Sequence, residues 1–148
     1  MGKVLIQANN LDTVMDVIMY DFQYQVYGKQ DIADYCDFSV RQVDYCSNAS
    51  KYLELIKEDW SLTFLAKDIF KYYPAEVTER VYKRIVEDEL IGQIYKHLLD
   101  SQDEDISSYA KERVMNHYQG LSDSVYERRS DNMVKWCQII NITTINKL

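Results

Sequence analysis

The stretch CDFSVRQVDYCSNASKYL, residues 36–53, decides the fold. Ser39 with Gln42 three residues later is a capping-box pattern, in which each side chain bonds the other residue's backbone amide and so opens a helix. From Val40 to Leu53 the apolar and small residues Val40, Val43, Cys46, Ala49, Ser50 and Leu53 recur at helical spacing and face inward. Arg41, Gln42, Asp44, Tyr45, Asn48 and Lys51 then face out or lie along the boundary. Upstream, Gln30 to Cys36 reads as a short helix with Ile32, Ala33 and Cys36 inward, so the junction Cys36–Ser39 is only a few residues long. Two helices joined this tightly form a helix-turn-helix pattern.

Working outward, Leu11, Val14, Met15, Ile18, Met19 and Phe22 make one apolar stripe of an amphipathic helix, with Asn10 as its cap and Gly28 as its stop. On the other side, Leu55-Ile56-Lys57, a charged tip at Glu58-Asp59, and Trp60-Ser61-Leu62 predict two very short strands forming a β-hairpin wing. Thr63 caps a helix from Phe64 to about Tyr72, and Pro74 marks a boundary because the residue before proline is pushed out of the helical region. Helices follow over Ala75–Glu87, Glu89–Leu99 and Ile106–His117, with the acidic segment 101–105 as a solvated connection. Then the earlier grammar returns: Gly120 ends a helix, Leu121 plugs the turn, Ser122 caps, and a long helix runs from Asp123 to about Ile140. The tail 141–148 holds β-branched residues that suit a short strand, and its state is left open.

These elements predict a mainly α fold. Two helix-turn-helix or winged-helix-type modules, residues 1–74 and 75–148, pack together and carry one short β-hairpin wing. Composition agrees, since one Pro and four Gly in 148 residues leave few turn-formers for an all-β barrel or sandwich. Seventeen Lys and Arg against 24 Asp and Glu give a net charge of −7. Neither half is basic, with seven cationic against eleven acidic residues through Pro74 and ten against thirteen beyond it. Bulk attraction to nucleic acid is thereby excluded, and any nucleic-acid contact needs a local basic face.

No stretch approaches the roughly 20 apolar residues that cross a bilayer, and the opening MGKVLIQANN lacks the apolar core of a secretory signal. A cytoplasmic protein without a membrane is expected. Three cysteines, Cys36, Cys46 and Cys137, fall on apolar faces with no CxxC pair, as reduced and inert thiols do.

The string Ser39-Val40-Arg41-Gln42-Val43-Asp44-Tyr45-Cys46, followed by Ala49, Tyr52-Leu53 and Leu62-Thr63, resembles a winged-helix module of restriction-modification and phage-defence proteins. The string Gly120-Leu121-Ser122-Asp123-Ser124-Val125-Tyr126-Glu127-Arg128-Arg129, with Val134 and Trp136 behind it, resembles the second module that often follows the first. Such regions usually precede a nuclease or ATPase domain, which these residues do not include. The resemblance therefore implies a recognition region, excised or free-standing, that has a nuclease or ATPase as partner.

In such a module the helix after the turn enters the major groove, while flanking groups fix its position on phosphates. Arg41, Gln42, Tyr45, Asn48 and Lys51 have the donors for this in the first module: Arg pairs with guanine, Gln and Asn with adenine, Lys with phosphate. In the second, Arg128, Arg129 and Lys135 form the basic cluster, and Ser122 and Ser124 stand at a helix start where free amides meet phosphate. Against each residue stands an ordinary solvated helix face, and against the arginines an internal pairing with Asp123, Glu127 or Asp131. Double-stranded DNA is the expected partner, with a protein-interaction module on the same scaffold as the rival. His97 and His117 are twenty residues apart with no ligand-spaced neighbours, and no phosphate-binding glycine loop or GxSxG elbow occurs. No metal, cofactor or catalytic activity is expected.

Overall fold

The computed structural model describes residues 11–24, 29–71, 74–101 and 105–146. Among them every regular element is a helix: α1 Leu11–Tyr24, α2 Lys29–Cys36, α3 Val40–Tyr52, α4 Phe64–Phe70, α5 Pro74–Val86, α6 Glu89–Ser101, α7 Ile106–His117 and α8 Asp123–Asn146. Two compact units divide between Val81 and Tyr82, inside α5. Asn10, Gly28, Tyr72, Tyr73 and positions 102–104 of the acidic connection lie outside the described residues.

In the unit ending at Val81, α1, α2 and α3 pack on one another. Their shared core takes Leu11, Val14 and Ile18 from α1, Ile32 from α2, and Val43, Cys46 and Ala49 from α3, all buried. Burial of each large aliphatic side chain contributes about 1.5–3 kcal/mol, which fixes the three helices against each other. The turn from α2 into α3 is made by local bonds. Asp37 takes the left-handed conformation at φ 59°, which lets the Phe38 amide donate to the Ala33 carbonyl at 2.9 Å and closes α2. Ser39 then opens α3 with the full capping box: the Gln42 amide donates to Ser39 Oγ at 3.2 Å, and the Ser39 amide donates to Gln42 Oε1 at 3.0 Å.

The expected β-hairpin wing is absent: no strand or sheet forms among the described residues. Between 53 and 63 only a single antiparallel bridge pairs Ile56 with Leu62. Two features keep the pairing to that one bridge. Glu54 at φ 62° turns the chain just before Leu55, and Thr63 on the other side already caps α4, so the run has no room to lengthen, while Trp60 at φ 70° closes the tight turn in which the Lys57 amide donates to Ser61 O at 2.8 Å. In addition, Leu55, Ile56, Trp60 and Leu62 are all buried, whereas a hairpin on the surface would alternate buried with exposed. Glu54 instead completes a helix stop, with the Leu55 amide donating to Ser50 O at 2.9 Å and the Glu54 amide to Lys51 O at 3.0 Å. Thr63 caps α4 as expected, its Oγ1 accepting from the Ala66 amide at 3.1 Å.

In the unit beginning at Tyr82, α6, α7 and α8 pack mutually. Ile91, Ile94, Val114, Met133, Trp136 and Cys137 are fully buried there. Asp88, itself buried, starts α6 by accepting from the Leu90 and Ile91 amides at 3.1 and 3.0 Å. Pro74 is the first residue of α5 rather than a gap before it, the position where its missing amide costs nothing. The tail joins α8 instead of leaving it. Thr143 and Thr144 turn their hydroxyls back to the Ile139 and Ile140 carbonyls at 2.8 Å each, satisfying them inside the helix. No helix among the described residues is long and apolar enough to cross a membrane.

Candidate nucleic-acid interface

One face of α3 is not fully buried by the described residues, and along it Arg41, Asp44, Tyr45, Asn48 and Lys51 follow at helical spacing. Arg41 is exposed and the other four are partly so. Together with Lys29 of α2 they border an open groove of about 380 Å³. Trp60, from the irregular segment after α3, and Ser47 complete its lining.

Charge in this groove is mixed. Lys29 Nζ meets Asp44 Oδ1 at 2.6 Å, and Lys51 Nζ meets Glu58 Oε2 at 3.4 Å. Arg41 pairs with no carboxylate among the described residues; its Nε donates to the Tyr45 hydroxyl at 2.5 Å and its guanidinium stands 5.4 Å from that ring's centre. Three cations therefore face two carboxylates, a local positive excess on a chain of net charge −7. Asn48 makes no hydrogen bond through its side chain among the described residues, and the residue is partly exposed. Gln42 is exposed, but its Oε1 is engaged by the Ser39 amide, so its carbonyl serves the helix start.

The second group lies in the other unit. Ser122 Oγ accepts from the Val125 amide at 3.3 Å and stands 3.3 Å from Ser124 Oγ, so it caps α8 as the sequence suggests. Arg128 and Lys135 are exposed two turns apart on α8, with exposed Asp131 between them, while Arg129 is half-buried and engaged by a neighbour. At the helix start Lys111 of α7 meets Asp123 at 2.7 Å and Glu127 at 3.5 Å. The bond to Asp123 holds the Lys111 ammonium above its ordinary pKa. Carboxylates thus surround the serines, and the open cations are farther along the helix. Val125 is half-buried, and Tyr126 is buried with its hydroxyl donating to Tyr118 O at 2.6 Å, which braces the turn before α8.

Sequence reasoning missed Lys29 and Trp60 as parts of the first groove. Nothing local marks them: Lys29 enters through the packing of α2 on α3, and Trp60 through a chain reversal made without glycine. It also missed a cluster in the second unit, where His97 Nε2 lies 2.7 Å from Asp105 Oδ1 and the imidazole stacks on Tyr109 at 3.8 Å between centres. His117 bonds the Arg113 carbonyl through Nδ1 at 3.0 Å. No group of three His, Cys, Asp or Glu that could hold a metal occurs among the described residues. Burial pushes the Cys46 and Cys36 thiols up, and the Cys137 thiol up to about 12.

The model of a family described as a domain of unknown function, DUF7226, matches residues 13–144. No curated protein and no solved structure matches the chain.

Proposed function

We propose that this chain, which belongs to the DUF7226 family, binds double-stranded DNA through this face of α3. The observation that carries the reading is the gathering of Lys29, Arg41 and Lys51 with the Asn48 carboxamide, unbonded among the described residues, along one open groove of an acidic protein. In that arrangement Arg41 offers forked donors and Asn48 a paired donor and acceptor to base edges, and Lys29 and Lys51 meet phosphates after releasing Asp44 and Glu58. The carboxylates of those ion pairs are 40% and 92% exposed, so breaking them costs little. Taken by itself, the other unit offers Arg128 and Lys135 of α8 as phosphate contacts of its own. The role as recognition part of a restriction or phage-defence system, with a nuclease or ATPase as partner, rests on the resemblance of residues 39–63 and 120–136.

Fluorescence anisotropy with a labelled duplex over a salt titration tests this. Phosphate docking requires affinity to fall as salt rises, and Lys51→Ala should reduce the slope by about 1. Arg41→Ala should weaken binding by about 1–3 kcal/mol with helical content unchanged. Affinity that ignores both salt and Arg41 overturns the reading. The rival, a protein partner, is favoured by one feature: Asp44 and Glu58 interleave with the cations, the pattern of a surface that meets mixed charge. A duplex that fails to bind at low salt selects it.

A further inference from the structure

We infer that the α3 groove holds a single nucleoside 5′-phosphate unit, rather than only tracking the outside of a duplex. A space of about 380 Å³ falls within the range of small-ligand clefts, roughly 300–1,000 Å³, and matches one nucleotide better than a groove-filling helix face. The chemistry is divided to suit one. Lys29, Arg41 and Lys51 supply cations for a phosphate, and Arg41 has only its Nε bonded, so both terminal nitrogens remain open among the described residues. Asn48 supplies a paired amide donor and acceptor, the complement of a base edge. Asp44, released from Lys29, is an acceptor for sugar hydroxyls. Tyr45 and Trp60, both in the lining, give the base an aromatic wall. A bare phosphate would leave Asn48 and the aromatic wall unused. An apolar ligand would strand the cations.

The same chemistry is offered by a free mononucleotide and by an unpaired nucleotide of a strand. The inference rests on the DNA-docking reading only in using the same face of α3, and the two fail separately.

Isothermal titration calorimetry on the full chain with AMP, GMP, CMP, UMP and inorganic phosphate tests it, with circular dichroism to check each variant's fold. At least one nucleotide should bind at least about tenfold more tightly than phosphate, and Asn48→Ala and Lys29→Ala should each weaken it about tenfold, while Lys96→Ala on α6 changes nothing. A duplex carrying one unpaired 5′-phosphorylated nucleotide that outbinds the blunt duplex identifies the strand as source; equal binding of the two, with a mononucleotide bound, identifies the free nucleotide. Phosphate binding as tightly as every nucleotide, or no nucleotide saturating at about 10 mM, overturns the inference. Blunt duplex bound without any nucleotide overturns it and leaves the docking reading standing. A nucleotide bound without any duplex does the reverse.

Discussion

Arg41 and Tyr45 hold each other one turn apart on α3: the guanidinium Nε donates to the phenol oxygen at 2.5 Å and the same group stands 5.4 Å from the ring centre. A long exposed arginine is thereby kept in one region of space before any ligand arrives, which lowers the entropy lost when it binds. Tyr45→Phe keeps the ring and removes the acceptor. Duplex affinity, read by anisotropy, should fall by about two- to twelvefold, the equivalent of the roughly 0.5–1.5 kcal/mol of ordering one flexible side chain. Thermal stability should scarcely move, because the pair is exposed. Unchanged affinity would show that the pairing does not prepare Arg41 for a ligand.

Asp88 is a buried carboxylate whose Oδ2 accepts from two free amides at the start of α6. Asp88→Ala strands both amides away from water and should lower unfolding free energy by about 1–2 kcal/mol in urea denaturation. Asp88→Asn retains an acceptor and should recover most of that loss. An equal loss in the two variants would assign the stabilisation to charge rather than to capping.

Gly92 lies one turn into α6, where a Cβ would come within 2.6 Å of the Val86 carbonyl oxygen. The clash is with backbone, so no side chain can swing aside. Gly92→Ala should therefore destabilise by about 1–3 kcal/mol, although alanine is the better helix former by roughly 1 kcal/mol. A more stable variant would mean that the end of α5 yields easily.

What could be read from the sequence and what could not divide along one physical line. The capping box at Ser39 and Gln42 and the inward set Val43, Cys46, Ala49 and Leu53 are local consequences of spacing, and they appear as expected. Val40, assigned inward, is instead 38% exposed, since at the first position of α3 it stands beyond the packed stripe. The wing failed for a different reason. The left-handed turn at Glu54 uses neither Gly nor Asn, so the sequence carries no mark of where the pairing is cut short, and a short apolar run fits a strand and a tucked loop equally well. The candidate groove is half local: Arg41, Tyr45, Asn48 and Lys51 follow from α3 alone, whereas Lys29 and Trp60 arrive through tertiary packing.

Cys137 is buried in α8, where its Sγ donates to the Ile91 carbonyl at 3.8 Å, and burial holds its thiol at about 12 against an ordinary 9.0. The folded state therefore keeps this proton after the unfolded chain has lost it. Stability from this group is complete below about pH 9 and is lost as pH rises toward about 12, at a slope of up to about 1.4 kcal/mol per pH unit. Urea midpoints between pH 8 and 11 should accordingly fall less steeply for Cys137→Ala than for the native chain, even though the variant starts lower because of the space left by sulfur. The same burial makes the thiol unreactive: at pH 8 a short iodoacetamide treatment should label half-buried Cys36 ahead of Cys137. Parallel pH profiles for the two chains, together with rapid labelling at Cys137, would place that thiol in contact with solvent and undo the packing of α8 on α6.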